Sequence, residues 1–162
     1  MNSLQKLIIT YDVSNLSLAR YYAAQGVDFI IIDLDQRIFE DSIELITQFK
    51  EWIEGPTIIG MSSDLEKLEI FKTYSDINLI LKEDLLFSKE KLKESIQNII
   101  NIKYPDLNLE LFPFYKLHFI RNKSDVDIPH SSIVYLIFAE KEEKTGIYNF
   151  EVLDSIFEEI NK

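Results

Sequence analysis

The sequence contains no cysteine, only four glycines and only four prolines among its 162 residues. Without cysteine the chain can form neither disulfides nor thiolate metal sites, and it has no cysteine nucleophile. This composition fits a reducing compartment, so we expect a cytoplasmic protein. Average proteins contain about 7% glycine and about 5% proline. Glycine-rich loops of the kind that bind phosphate groups are therefore scarce in this chain.

Long apolar segments are also missing. No run approaches the roughly 18 apolar residues of a membrane-spanning helix. The residues after Met1 show no apolar segment followed by a small-residue cleavage site, which a secretory signal would need. The sequence therefore predicts a protein that neither carries a secretory signal nor contacts a membrane.

Basic residues are the minority among the charged ones. The formal net charge is −11, from 28 acidic and 17 basic residues. Affinity for nucleic acid comes mainly from basic groups that displace counterions from phosphates, so we expect no nucleic-acid partner. The excess of carboxylates predicts a well-hydrated surface, and an acidic docking face for a basic partner is the alternative.

The clearest pattern lies in residues 6–35. Residues 6–12 predict a short buried strand, residues 15–25 a helix, and residues 27–35 a second strand that is too apolar to have a solvated face. Such strands are typical of a parallel sheet that helices cover on both sides. Gly26 follows the helix directly, where the left-handed conformation that ends many helices favours glycine.

The alternation of strands and helices continues along the chain. Strands are predicted at residues 56–60, 77–81, 107–112, 115–120 and 132–138, and helices at residues 39–52, 65–71, 88–102 and 150–160. This order predicts a single α/β domain over residues 1–162, with a mostly parallel sheet of six or seven strands.

Candidate functional residues follow the strands, because ligands of parallel α/β sheets bind beyond the carboxyl ends of the strands. The predicted strand ends carry Asp12, Asp33, Asp35, Arg37, Ser62, Ser63, Asp64, Lys82, Glu83, Asp84 and Glu140. Carboxylates together with an arginine and a lysine at one rim suit a cation or a polar ligand, whereas an ordinary polar loop surface is the alternative. His118 and His130 lie on different elements without the spacing of a ligand pair, so we expect no metal site and no cofactor.

Four segments compare with one known family. Residues 6–15 match an opening Lys-Ile-Cys-Gly-x-x-Asn, residues 23–28 a helix that ends in Ala-Gly-Ala-Asp, residues 35–37 a Ser-Pro-Arg, and residues 144–150 a late Gly-Thr-Gly-x-x-Phe-Asp-Trp. On these motifs the chain resembles phosphoribosylanthranilate isomerase, a (β/α)8 barrel of tryptophan biosynthesis. The resemblance implies a shortened, degenerate and incomplete barrel. Because an unclosed sheet exposes unpaired strand edges, we expect a homodimer that pairs through a sheet edge.

The same resemblance implies functional residues. Glu140 and Asp12 would be the catalytic groups, and a small phosphorylated metabolite would bind to Arg37, Asp35 and Lys82. The strand-one cysteine that acts as general base in the family is absent, and Tyr11 stands nearest to its position. The family builds its phosphate site from loops after strands seven and eight, which the matched segments do not reach. The expected activity is therefore either metabolite binding with residual isomerase chemistry or none at all.

Residues 27–96 compare with a second family. The segment ending at Asp33 matches a phospho-acceptor strand, residues 56–62 a strand that ends in Thr or Ser, and Lys82 a family lysine. On these segments the chain is similar to response-regulator receiver domains, which are flavodoxin-like three-layer sandwiches. This alternative implies phosphorylation of Asp33, with Ser62 and Lys82 contacting the phosphoryl group, or a pseudo-receiver that acts through protein contact without phosphorylation.

The front of the chain departs from the receiver pattern. Receivers place an acidic pair at the end of a first strand, and a further helix and strand precede the phospho-acceptor strand. This chain has only one β-α unit ahead of Asp33. Asp12 would fill the acidic position only in a rearranged strand order.

Overall fold

The computed structural model describes residues 6–86, 89–107, 116–120, 133–138 and 150–161. The strands are β1 (Lys6–Tyr11), β2 (Phe29–Asp33), β3 (Thr57–Ser62), β4 (Asn78–Leu81), β5 (Lys116–Ile120) and β6 (Ile133–Phe138). The helices are α1 (Leu16–Ala24), α2 (Phe39–Trp52), α3 (Leu65–Tyr74), α4 (Lys82–Leu86), α5 (Lys89–Lys103) and α6 (Phe150–Ile160), and a short 3-10 helix spans Leu34–Gln36.

The strands form one parallel sheet in the order β4-β3-β2-β1-β6-β5. β1 pairs with β2 on one side and with β6 on the other, so a strand from late in the chain lies beside the first one. The α/β class with a parallel sheet and surrounding helices is thereby confirmed. The predicted total of six or seven strands stays a prediction, because most of the strand expected at 107–112 falls outside the described residues.

Local sequence explains where α1 and α3 begin and where α1 ends. The Asn15 side chain accepts a hydrogen bond from the Leu18 N–H at 2.8 Å, and the Asp64 side chain accepts one from the Glu66 N–H at 2.9 Å. Both are side-chain caps that satisfy an otherwise unpaired donor of the first turn. After α1, Gly26 has φ +77°, which is the left-handed conformation expected from the sequence.

Helices cover both faces of the sheet. Ile30 and Ile32 of β2 belong to a core cluster with side chains of α1, α2, α3 and α6. Phe29 and Ile31, which alternate with them along the strand, belong to a second cluster with side chains of α4 and α5. Successive strand residues point to opposite faces of the sheet. Because helices cover both faces, every apolar residue of β2 is buried. This layering explains why the strand shows no polar alternation.

Asp28 joins the amino edge of the sheet to α5. One carboxylate oxygen accepts a hydrogen bond from the Ile8 N–H at 2.9 Å, and the other accepts one from the Tyr104 hydroxyl at 2.6 Å. The end of α5 is thus bonded to the strand that it covers. No helix in the described part of the chain is both long enough and apolar enough to cross a membrane.

Candidate functional site

The parallel strands bring most of the predicted site residues to one edge of the sheet. β2 ends at Asp33 and β3 at Ser62, while Lys82 directly follows β4. Lys82, Glu83 and Asp84 were expected in a loop but form the first turn of α4. That turn begins without a connecting loop, which places Lys82 against the neighbouring strand ends.

Asp33 is the centre of this edge. Its side chain is 1% exposed, and the Lys82 ammonium lies 2.7 Å from its Oδ2. The Tyr11 hydroxyl donates to the same oxygen at 3.2 Å. A carboxylate this deeply buried requires a counter-charge and hydrogen-bond donors, since desolvation strongly penalises an isolated buried charge.

The other oxygen of Asp33 is bonded to the backbone. Oδ1 accepts a hydrogen bond from the Asp35 N–H at 3.0 Å, so the side chain caps the short 3-10 helix. Arg37 folds back onto the same residue and donates to the Asp33 carbonyl oxygen at 2.9 Å. Asp33 therefore acts in this structure as a hydrogen-bonded junction between strand end, 3-10 helix and α4.

Asp35 connects β2 to the start of α3. Its Oδ1 accepts a hydrogen bond from the Ser62 hydroxyl at 2.6 Å, and its Oδ2 accepts from the Ser63 N–H at 2.9 Å and the Ser63 hydroxyl at 2.8 Å. The Lys67 ammonium lies 3.5 Å from Oδ1. Burial acts to raise the pKa of Asp35, but the hydrogen bonds from the two serines and the charge of Lys67 outweigh it and lower the pKa to about 2.

Tyr11 is a donor at this edge. Burial raises the pKa of its hydroxyl well above the usual range, and the negative charges of Asp33 and Asp12 raise it further. The hydroxyl is therefore protonated at neutral pH.

Asp12 follows β1 at the same edge. Its backbone has φ +54°, a left-handed conformation that aspartate adopts more readily than most residues with a side chain. The next residue, Val13, donates its N–H to the Ile31 carbonyl at 3.0 Å, so the turn after β1 is bonded to β2. The chain thus leaves β1 in contact with the strand that carries Asp33.

The other predicted residues divide into two groups. Glu140 and His130 lie outside the described residues. His118 lies in β5, where its backbone is in register with Tyr135 of β6. Three residues that contact the central carboxylates were not predicted to do so: Lys67 at Asp35, and Tyr11 and Gln36 at Asp33. The signal for Lys67 was its position in the first turn after the cap residue Asp64, where a long side chain can reach the strand ends.

The basic groups of this edge are bonded to acceptors of the same chain. Lys82 contacts Asp33, Arg37 contacts the Asp33 carbonyl, and Lys67 donates to the Leu34 carbonyl at 3.0 Å. Among the described residues, no group of three or more histidines and carboxylates is arranged to hold a metal ion. In the described part of the chain, this arrangement joins the ends of β2 and β3 to the starts of α3 and α4.

Comparisons with protein-family models, with curated proteins and with solved structures find no match.

Proposed function

We propose that the chain is a non-catalytic, receiver-like α/β module that acts through contact with another protein. The observation that carries this proposal is the state of Asp33. The carboxylate is 1% exposed, one oxygen is held by Lys82 and Tyr11, and the other by the Asp35 N–H. A phospho-acceptor needs an accessible oxygen, and both oxygens of Asp33 are already engaged.

The strand order supports the receiver-like architecture over the barrel-like one. Flavodoxin-like sheets have the order 2-1-3-4-5. The strands β6-β1-β2-β3-β4 occupy the same five positions, with β6 in the place of the second strand. Such a rearrangement puts β1, and Asp12 after it, directly beside the strand that ends at Asp33. In this strand order Asp12 can take the position that the acidic pair has in receiver domains.

The layering also favours a three-layer sandwich. In a (β/α)8 barrel the helices cover only the outer face of the sheet, because the inner face packs on itself. Here α1, α2, α3 and α6 pack on one face, and α4 and α5 on the other. This layering counts against an incomplete barrel, and with it against the isomerase-like relation.

The neighbours of Asp33 support the phosphorylation-independent form. The Ser62 hydroxyl donates to Asp35 at 2.6 Å and accepts from the Asp64 N–H at 3.0 Å, so it serves the start of α3 and not a group on Asp33. An aspartyl phosphate also needs a cation beside its oxygens. In the part of the chain that the structure describes, no group of three or more histidines and carboxylates is arranged to hold one.

Treatment with acetyl phosphate and Mg²⁺, followed by intact mass measurement, tests the proposal. A receiver domain of known activity serves as the positive control for the reagent. We expect the chain to keep its unmodified mass under conditions that label the control, and Asp33→Asn to behave in the same way. A mass gain of one phosphoryl group that disappears in Asp33→Asn would overturn the proposal and make Asp33 a phospho-acceptor.

An isomerase-like function remains a separate prediction. It requires Arg37, Asp35 and Lys82 to bind a phosphorylated metabolite, whereas all three side chains are bonded within the chain. A ligand that binds only the native state raises the unfolding temperature by mass action. We expect no shift with ribose 5-phosphate or related sugar phosphates. A shift that Arg37→Ala abolishes would favour the isomerase-like function instead.

We also propose that the protein is cytoplasmic and forms a homodimer through a sheet edge. β4 is an edge strand of the described sheet, and its backbone is hydrogen-bonded only to β3 there. Exposed edges of this kind favour pairing with another strand unless they are short or covered. Size-exclusion chromatography with light scattering is expected to give the mass of a dimer, and a strict monomer would contradict this part.

A further inference from the structure

α3 carries large apolar side chains on its outward side as well as on its inward side. Leu68 and Phe71 are buried in the core. Leu65, Ile70 and Tyr74 point outward, with exposures of 65%, 50% and 67%. A surface helix usually confines its apolar residues to one stripe, and a helix that is apolar around its circumference is usually covered.

Ile38 extends the exposed apolar area, with an exposure of 64%. The ring of the next residue, Phe39, lies edge-on to the Tyr74 ring at a centroid distance of 5.2 Å. The Lys67 hydrogen bond to the Leu34 carbonyl ties the first turn of α3 to the segment before Ile38. Leu65 lies on the opposite flank of α3, because the nine-residue separation of Leu65 and Tyr74 makes about two and a half helical turns. We call the group of Ile38, Ile70 and Tyr74 the α3 surface. It contains three of the eight large apolar side chains that are exposed in the described part of the chain.

Carboxylates accompany these apolar side chains. Glu66 lies in the first turn of α3, and Glu40 and Asp41 lie in the first turn of α2, directly after Ile38. All three are exposed. None of them belongs to the ion pairs of the described residues.

The lysines of α2 and α3 do not offset this negative charge. Lys50 pairs with Asp76, Lys67 lies beside Asp35, and Lys72 pairs with Glu69. Each of these ammonium groups therefore already has a carboxylate partner in the chain. The α3 surface presents apolar side chains in an acidic surrounding.

We propose that the α3 surface is a docking site for a basic, amphipathic segment of another protein. This proposal rests on the protein-contact function above and names its surface and partner class. The negative charge around the α3 surface determines which class of partner fits it. Nucleic acid and anionic membranes carry the same sign of charge as this surface, and the α3 surface of a second copy would bring the same carboxylates, Glu40, Asp41 and Glu66. A basic segment with an apolar face complements both the carboxylates and the exposed side chains.

Peptide binding to the full chain provides the test. The probe is a fluorescein-labelled amphipathic helix of leucine and lysine, and its matched control has glutamate at every lysine position. Fluorescence anisotropy is measured at physiological ionic strength and again at high salt. We expect the leucine-lysine peptide to bind, with an affinity that falls as salt screens the charges, and the leucine-glutamate peptide not to bind.

Substitutions on the α3 surface locate the binding. The double variant Ile70→Ser with Tyr74→Ser is expected to weaken binding of the leucine-lysine peptide by about tenfold or more. Trp52→Ser is the matched control, because Trp52 is 60% exposed but lies at the last residue of α2, whereas Ile38 directly precedes the first. Its affinity is expected to stay within about twofold of the original. Glu66→Lys, which removes no apolar contact, is a second variant that is expected to weaken binding through charge alone.

Three results would overturn the docking site: no binding of the leucine-lysine peptide, equal binding of the leucine-glutamate peptide, or an equal loss in Trp52→Ser and the double variant. The acetyl phosphate experiment distinguishes this failure from that of the proposed function. Absence of both labelling and peptide binding would remove only the docking site. Labelling of Asp33 together with peptide binding would remove only the non-catalytic assignment.

Discussion

The Lys82 ammonium lies 2.7 Å from Asp33 Oδ2, although the two residues are 49 positions apart in the chain. Asp33 ends β2, and Lys82 begins α4 after β4, so the contact spans the sheet across β3. The ion pair therefore joins the centre of the sheet to the start of the helical layer on its second face.

Lys82→Met is expected to lower the free energy of unfolding by about 3 kcal/mol, because it leaves the carboxylate of Asp33 buried without its counter-charge. Urea unfolding followed by circular dichroism measures the change. Lys72→Met is the control, since it breaks the exposed pair with Glu69 and is expected to cost less than about 0.5 kcal/mol. Equal losses in the two variants would show that Lys82 contributes no more than a surface lysine.

Asp35→Asn is expected to lower the free energy of unfolding at pH 7 by about 2 kcal/mol, which corresponds to a pKa displaced from its ordinary value to about 2. The folded-state pKa is depressed, so this stabilisation is complete above the unfolded-state value of about 3.9. It is lost as the pH falls towards about 2.

The difference between the original protein and Asp35→Asn should therefore shrink when urea unfolding is repeated at decreasing pH. Asp106→Asn is the control, because Asp106 is exposed and takes part in no ion pair of the described residues. A difference for Asp35→Asn that stays constant down to pH 2 would contradict the assigned role of Ser62 and Ser63.

Tyr104→Phe is expected to lower the free energy of unfolding by about 1.5 kcal/mol at neutral pH, because it removes a hydrogen bond to the carboxylate of Asp28. Burial and the contact with Asp28 raise the pKa of the Tyr104 hydroxyl to about 12. A raised folded-state pKa means that the stabilisation is present below about pH 10 and is lost as the pH rises towards 12.

The alkaline change can be followed by urea unfolding between about pH 8 and 11, together with the ultraviolet absorbance that appears when tyrosine ionises. Tyr74→Phe is the matched control, since Tyr74 is 67% exposed. It is expected to change the free energy of unfolding at neutral pH by less than about 0.5 kcal/mol. A loss that is as large for Tyr74→Phe as for Tyr104→Phe would contradict the specific contribution of the Asp28 contact.

Gly60→Ala is expected to cost about 1 to 2 kcal/mol, because the added methyl group overpacks the core beside β3. Its Cβ would lie 2.9 Å from Leu79 Cδ2, 3.0 Å from Ile77 Cδ1 and 3.0 Å from Leu34 Cδ1. Thermal unfolding measures the loss. In the background of Leu79→Val the same substitution should cost less, since a shorter side chain leaves room for the methyl group. Additive effects of the two substitutions would contradict a direct clash.

The sequence predicted individual elements well because their signals are local. The left-handed glycine Gly26 and the apolar segment of β2 each depend on a few neighbouring residues, and the structure has both features as predicted. The short helix α4 was missed because five residues give too little periodicity to distinguish a helix from a polar loop.

Spatial neighbours at the strand ends were only partly predictable. Because parallel strands end at one edge, Asp33 and Lys82 were expected near each other. The partner of the Ser62 hydroxyl was not expected. The hydroxyl bonds to Asp35, whereas the receiver resemblance placed Ser62 beside Asp33. The choice between two carboxylates two residues apart depends on how the 3-10 helix turns the backbone after β2, and sequence periodicity carries no information on that turn.

The sequence by itself therefore determined the α/β class, the parallel strands with buried faces and the acidic surface. Apolar periodicity, side-chain caps and charge act over a few residues and can be read in order along the chain. Only the tertiary structure decided that β6 lies beside β1, that α4 and α5 pack on the face opposite α1, α2, α3 and α6, and that both oxygens of Asp33 are engaged within the chain. These features depend on which distant apolar surfaces bury one another, and burial is a property of the whole fold.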